Sequence, residues 1–122
     1  MPNEIPMQES ILKTIRKLVG PEEDYTHFDF DLITQINTAL NILNQLGVGP
    51  AEGFTISDDS AKWSDFIDDE ALFGMAKTYV YLFVKKVFDP PANSFVVDSY
   101  EKTLKEIEWR LEVQADEAIN EA

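Results

Sequence analysis

Residues 71–84, ALFGMAKTYVYLFV, decide the fold, because Lys77 is their only charged residue and apolar side chains fall on nearly every face of the helix that they would form. A helix that is hydrophobic all round is central and buried. Acidic residues 68–70 stand at its start, and residues 85–86, both lysine, suit its C-terminal end, where cations complement the helix dipole. Asp89-Pro90-Pro91 then prevents continuation. The stretch therefore predicts the central helix of an all-α domain.

Two amphipathic helices are predicted before it. Ser10 can cap the first helix, whose apolar positions follow helical spacing: Ile11, Leu12, Ile15, Leu18 and Val19. Gly20-Pro21 ends that helix. Asp29 or Asp31 can cap the second helix, which Gly47 stops. Its apolar stripe consists of Leu32, Ile33, Ile36, Ala39, Leu40, Leu43 and Leu46.

Residues 47–67 are predicted to form a long irregular loop. Phe54 and Ile56 alternate with polar neighbours, a pattern that permits a short extended piece. Loops of this length in compact domains tend to be functional or mobile. We expect the loop to be tethered to the core by the cluster Trp63, Phe66 and Ile67.

A long final helix is predicted after Asn93 or Ser94, either of which can cap it. Its apolar residues alternate three and four apart, as in the seam of a packed helical pair: Val97, Tyr100, Leu104, Ile107 and Leu111. A helix over residues 95–118 would be roughly 36 Å long at about 1.5 Å per residue. Its last turns are therefore expected to project beyond the core.

The length of 122 residues and a hydrophobic share of 44% suit one domain with a modest core. We expect a single domain over residues 1–122. Its fold class is all-α: a bundle of four to five helices with one long irregular loop and a long C-terminal helix. Residues 1–9, which include two prolines, and residues 117–122 are expected to be loose tails.

Several classes of protein and site are disfavoured by composition. The sequence contains no cysteine, so it forms no disulfide, thiolate metal site or thiol nucleophile, which fits a reducing compartment. No charge-free apolar stretch of about 18 residues is present to cross a membrane. Residues 1–6 lack the basic start and apolar run of a secretory signal. We expect an intracellular protein without a membrane partner.

The net charge of −13 argues against tight binding to nucleic acid or to anionic membranes, since their phosphates would be repelled. The acids are concentrated in residues 21–31 and 52–70, whereas residues 32–51 carry no charged side chain. Loss of charge with polar groups retained is typical of the core of a protein interface. We therefore predict subunit contacts at Asn37, Asn41 and Asn44. The alternative is a surface helix that happens to use amides.

No recognisable catalytic or metal-binding pattern is present. His27 is the only histidine and is interpreted as structural. The acidic clusters lack the central Gly and terminal Glu of a calcium loop, so helix caps and solvated loops explain them. One enzymatic alternative is a magnesium-dependent hydrolase that would depend on Asp65 and Glu101. We expect no enzyme activity, no catalytic residue, no cofactor and no metal.

Six short segments resemble, in their order and spacing, the small head–tail connector (adaptor) proteins of long-tailed phages and prophages of Gram-positive hosts. They are Ile11-Leu12-Lys13-Thr14-Ile15, Gln45-Leu46-Gly47-Val48-Gly49-Pro50, Trp63-Ser64-Asp65-Phe66-Ile67, Lys77-Thr78-Tyr79-Val80-Tyr81-Leu82, Phe88-Asp89-Pro90-Pro91 and Glu108-Trp109-Arg110-Leu111. The resemblance spans residues 9–115. It does not include the first eight residues or the end of the chain after Asp116.

The resemblance implies a structural virion protein, made in the bacterial host cytoplasm, whose copies form a ring, a dodecamer, beneath the portal protein. The ring would extend the DNA channel, let DNA pass without specific binding, and dock the next head-completion (stopper) or tail-completion protein. We expect portal contacts at the end of the last helix, from Trp109, Arg110, Glu112 and Asp116. We expect the loop residues Glu52, Asp58 and Asp59 to face the lumen of the channel or the next ring.

Two alternatives stay open. Trp109 beside Arg110 is either an exposed anchor pair, since Trp and Arg favour interface hot spots, or a core residue, which is the interpretation that we favour. The alternative function is an acidic interaction module, such as a DNA-mimic inhibitor of a host DNA-binding protein. A mimic would space its carboxylates along one extended face, whereas here they cluster in predicted loops.

Overall fold

The computed structural model describes residues 7–19 and 28–121, with the backbone alone for residues 116–121. Within this part of the chain there is no β-strand, and one isolated antiparallel bridge joins Ser10 to Lys62. The helices are α1 (Ile11–Val19), α2 (Asp29–Gln45), α3 (Trp63–Phe66), α4 (Glu70–Phe88) and α5 (Ser94–Glu121). The predicted all-α bundle with a long irregular loop and a long C-terminal helix is confirmed.

Helix α4 lies at the centre of the bundle, since α1, α2 and α5 all pack against it. At its start, the carboxylate of Asp69 accepts a hydrogen bond from the N–H of Ala71 at 2.8 Å. Lys85 and Lys86 occupy its last turn, as predicted. Its buried side chains are Ala76, Tyr79, Val80, Leu82 and Val84. The prediction of a central helix from residues 71–84 is confirmed.

Helices α4 and α5 run antiparallel. The Tyr79 hydroxyl donates to Glu108 Oε2 at 2.7 Å, and Lys86 Nζ lies 3.9 Å from Glu101 Oε1. Later positions in α4 thus face earlier positions in α5. The predicted seam of α5 is confirmed, since its residues are buried or half-buried: Val97, Tyr100, Leu104, Ile107 and Leu111.

Helix α2 ends beside the start of α4. A Cβ atom on Gly47 would lie 3.5 Å from Ala115, and Gly49 and Leu72 line the same open pocket. Because α2 packs along α4 from there, the two helices run antiparallel. Helices α2 and α5 each pack extensively on α4 but not on each other.

The ends of α1 and α2 follow common capping chemistry, with one exception. Ser10 Oγ accepts the N–H of Lys13 at 3.2 Å, which confirms the predicted cap of α1. Gly47, at φ +97°, ends α2 in a Schellman motif, in which Val48 N–H bonds to Leu43 O at 3.0 Å. The predicted capping of α2 by Asp29 or Asp31 is wrong: the N-cap residue is Phe28, and both aspartates lie within the first turn of the helix.

The predicted tether of the loop is confirmed, because Trp63, Phe66 and Ile67 are all buried. The indole Nε1–H of Trp63 donates to Thr14 Oγ1 at 3.2 Å, and that hydroxyl donates in turn to Ser10 O at 2.6 Å. This chain of bonds satisfies the polar atoms of a buried site and joins α3 to α1.

Where the structure describes the two segments predicted to be loose tails, their backbone is hydrogen-bonded to the domain or helical. Residues 1–6 lie outside the described residues, but the carbonyls of Met7 and Glu9 accept hydrogen bonds from the N–H groups of Ser64 and Trp63. Helix α5 continues to Glu121, because no glycine or proline follows residue 94 to end it.

Candidate assembly surfaces

The asparagines of α2 have different environments. The side-chain amide of Asn37 bonds to both backbone groups of Ile56: its Nδ2 donates to Ile56 O at 2.9 Å, and its Oδ1 accepts Ile56 N–H at 2.8 Å. Asn44 Nδ2 donates to Val48 O at 3.0 Å and to Pro50 O at 2.6 Å. Asn41 is exposed. Two of the three predicted contact residues therefore bind the chain's own loop.

This arrangement explains why residues 54–56 form no strand. The backbone of Ile56 is paired by an amide side chain rather than by another strand, and the Ile56 side chain is buried. The rings of Phe54 and Phe66 pack against each other at a tilt, with centroids 5.2 Å apart. The loop is thus held to α2 and α3 without a sheet. Such bonds also account for uncharged amides at positions 37 and 44, because an irregular loop leaves backbone groups that need partners.

The solvent side of α2 forms a surface without charge along its centre. We call it the α2 outer face and define it as Phe30, Thr34, Thr38, Asn41 and Gln45. All five are exposed and lie opposite the buried side of the helix, and Phe30 is 83% exposed. The hydroxyls of Thr34 and Thr38 each donate to the carbonyl four residues earlier at 3.0 Å. Those bonds use the hydroxyl protons internally, so the threonines present mainly methyl groups.

The solvent side of α5 carries two exposed aromatic residues on one line. We call it the α5 outer face and define it as Phe95, Lys102 and Trp109, which are seven residues apart and therefore share one side of the helix. Phe95 is 80% exposed and Trp109 is 61% exposed. Our preference for a core position of Trp109 is therefore wrong. The seam of α5 already fills the core side of this turn with Ile107 and Leu111, which leaves residue 109 on the opposite side.

The other residues predicted to contact the portal lie on the same helix. Arg110 is exposed and its Nη2 pairs with Glu106 Oε1 at 2.9 Å, one turn earlier. Glu112 is exposed. The side chain of Asp116 lies outside the described residues, as does His27. The portal contact stays a prediction for all four positions.

The acidic loop residues Glu52, Asp58 and Asp59 are exposed, as a surface that meets another protein requires. Asp58 Oδ1 accepts bonds from the hydroxyl and the N–H of Ser60 at 2.6 and 2.8 Å, and these bonds lower the pKa of Asp58. Asp59 lies 3.9 Å from Lys13 Nζ. Their contact with a lumen or a next ring stays a prediction.

An open pocket of about 350 Å³ lies between this loop and the start of α4. Three acids line it, Asp65, Asp68 and Asp69. Asp69 caps α4, and Asp65 Oδ2 accepts the N–H of Lys62 at 2.9 Å. Among the described residues, no group of three or more His, Cys, Asp or Glu side chains is placed to hold a metal ion.

The two residues of the hydrolase alternative are far apart. Asp65 lies in α3, before the start of α4, whereas Glu101 lies near Lys86 in the last turn of α4. Residues 70 and 86 are separated by about 24 Å along a helix. Asp65 and Glu101 therefore do not converge on one ion.

Two buried polar pairs join the helices from within. Arg16 is 7% exposed, and its guanidinium binds the carboxylate of Asp29 with both Nε and Nη2. Tyr79 is 1% exposed, and burial followed by the hydrogen bond and charge of Glu108 raises the pKa of its hydroxyl. The helix periodicity of the sequence did not reveal either pair, because each joins residues on different helices.

Sequence reasoning also missed Phe30 and Phe95 as surface residues. Both lie outside the apolar stripes of their helices, Phe30 between two aspartates and Phe95 just after the cap of α5. The sequence signal that could have identified them is an aromatic residue that lies outside the apolar stripe of its helix. No helix within the described residues is both long and apolar enough to cross a membrane.

The sequence model of a family described as "Phage connector protein" matches residues 11–118, which is most of the chain. No curated protein and no solved structure matches the chain.

Proposed function

Because the chain belongs to the phage connector protein family, we propose that its copies form a ring between the portal and the tail of the virion. The ring extends the DNA channel below the portal and docks the next head-completion or tail-completion protein. The protein acts by binding and geometry, with no chemical step. The observation that carries the proposal is the family match over residues 11–118, which includes every described helix except the end of α5.

The surface chemistry of the described residues agrees with an assembly protein. Large aromatic side chains are common at the centres of protein interfaces. Phe30, Phe95 and Trp109 are all more than half exposed. Surfaces of this kind favour protein partners over a small-molecule substrate.

The charge of the chain agrees with a channel that DNA passes without specific binding. A net charge of −13 repels the phosphate backbone. The exposed acids Glu52, Asp58 and Asp59 all belong to the loop before α3. We place this loop toward the lumen or the next ring, where repulsion would keep DNA from sticking.

The end of α5 is our proposed portal contact. The helix is 28 residues long, about 42 Å, so it is far longer than any other element of the domain. Arg110 and Glu112 are exposed on it, and Asp116 follows in the sequence. A projecting helix gives the portal a binding element that does not disturb the bundle.

The experiment uses the full chain alone and mixed with the portal protein of the same genome, and measures mass by light scattering after size exclusion. A portal from an unrelated phage is the control. We expect a ring alone, or a stable complex with the cognate portal only. A chain that stays monomeric and ignores its own portal would contradict the proposal and would favour the acidic inhibitor instead.

A further inference from the structure

We propose that neighbouring copies in the ring meet by packing the α2 outer face of one copy against the α5 outer face of the next. The inference rests on the proposed ring, but it concerns which surfaces make the contact. It reassigns Trp109 from the portal to the lateral contact, because Trp109 lies in line with Phe95 along α5 rather than at the helix end. Arg110, Glu112 and Asp116 stay with the portal.

Charge is the first reason to choose a second copy as the partner. Two copies that each carry −13 repel one another wherever acidic surfaces meet. The α2 outer face contains no charged residue, and the one exposed charged residue of α2, Asp31, lies at its N-terminal end. On α5, the exposed charged residues from position 95 to position 110 are three acids and three bases: Asp98, Glu101, Glu106, Lys102, Lys105 and Arg110. These two helix surfaces let copies approach without net repulsion.

Placement in the fold is the second reason. A closed ring requires a heterologous contact, in which one patch of each subunit meets a different patch of its neighbour. The two patches must lie on different sides of the subunit. Helices α2 and α5 both pack on α4 and have no extensive contact with each other. Their outer faces point away from α4, so one subunit can use both at once.

Shape and chemistry are the third reason. The α2 outer face runs from residue 30 to residue 45, about 22 Å, and the α5 outer face runs from residue 95 to residue 109, about 21 Å. Between its ends, the α2 outer face consists of short side chains that present threonine methyl groups and a side-chain amide. Phe95 and Trp109 give α5 two large anchors. Large anchors that enter a surface of small side chains are typical of tight helix packing.

The chain contains no cysteine, which makes a site-specific crosslinking test direct. Thr38→Cys and Lys102→Cys place a thiol at the middle of each face, so they meet whether the two helices pack parallel or antiparallel. The single variants are mixed under the conditions that give the ring and treated with a short bis-maleimide. We expect a covalent dimer from the mixture and little from either variant alone. The double variant should give a ladder of oligomers.

Thr55→Cys is the matched control, since Thr55 is exposed on the loop and belongs to neither face. Its mixture with Lys102→Cys should give no dimer. Rings that form without a crosslink between positions 38 and 102 would contradict the proposed contact, but they would not contradict the proposed ring. Dimers from Thr38→Cys alone would also overturn it, because they would show two α2 faces in contact.

A charge test separates the contact from the ring itself. Thr38→Lys and Trp109→Ala should each weaken assembly at least about tenfold, while Thr55→Lys should not. Circular dichroism should show all three variants folded. If Trp109→Ala keeps the ring but loses the portal, the lateral assignment is wrong and the original portal assignment is right. If the unmodified chain forms no ring, even with its portal, the proposed function is contradicted, and the proposed contact with it.

Discussion

Arg16 and Asp29 form a bidentate ion pair that joins the end of α1 to the start of α2. The distances are 3.1 Å from Nε to Oδ1 and 2.8 Å from Nη2 to Oδ2. The side chain of Arg16 is 9% exposed and that of Asp29 is 26% exposed. A guanidinium this well buried requires a fixed carboxylate, so the pair sets how the two helices meet.

Asp29→Ala should lower the free energy of unfolding by about 2 kcal/mol, because a nearly buried guanidinium loses a bidentate partner. Asp31→Ala is the matched control: Asp31 lies in the same first turn of α2 but is exposed, and its loss should change stability by no more than about 0.5 kcal/mol. Urea denaturation measures both. Equal losses for the two variants would show that helix-dipole effects, and not the pair with Arg16, are responsible.

Asn37→Ala should destabilise the protein by about 2 kcal/mol, because it leaves both backbone groups of Ile56 without their amide partner. Asn41→Ala, on the same helix but exposed, should be nearly neutral for folding. Thermal unfolding gives the comparison, and hydrogen exchange should show faster exchange at the Ile56 amide in the Asn37 variant alone. Unchanged exchange there would contradict the role given to Asn37.

Gly49→Ala should be strongly destabilising, by about 3 kcal/mol, for two reasons that act together. Gly49 has φ +86°, and an added Cβ would lie 2.5 Å from the ring of Phe66. Gly53 shares the positive φ, at +101°, but a Cβ there meets nothing within 4 Å. Gly53→Ala should therefore show the backbone strain alone, about 1 kcal/mol. Similar urea midpoints for the two variants would rule out the contact with Phe66.

The Tyr79–Glu108 pair predicts a dependence of stability on high pH. Burial first, then the hydrogen bond and charge of Glu108, raise the pKa of the Tyr79 hydroxyl above its ordinary value of about 10. A group whose pKa is raised by folding stabilises fully below its unfolded pKa and less as the pH rises above it. Tyr79→Phe should therefore be less stable than the native chain at pH 8, and the difference should shrink above about pH 10. A difference that stays constant across this range would contradict the effect.

The sequence predicts some elements of the structure better than others. The run over residues 71–84 predicts α4 correctly, because continuous hydrophobicity leaves a helix no exposed side. The seam of α5 follows from its three-and-four spacing, which places its apolar residues on one side of the helix. The role of Asp29 could not be predicted in this way. Its partner Arg16 is thirteen residues away, across a connector whose path the periodicity does not specify.

The candidate surfaces were predicted only in part. The absence of charge on residues 32–51 pointed to α2, but it did not distinguish Asn37 and Asn44, which bind the loop, from Asn41, which faces solvent. That distinction depends on where the loop returns to the helix. The aromatic residues of α5 were ambiguous because tryptophan occurs both in cores and in interfaces. Only the packing of α5 on α4 shows which side Trp109 takes.

Electron microscopy of the chain mixed with its cognate portal tests the ring at the head–tail junction most directly. Side views should show a second layer of density below the portal, and end-on views should show a closed ring around an open channel. Portal particles indistinguishable from portal alone, at protein concentrations well above those in the light-scattering experiment, would contradict a connector role for this chain.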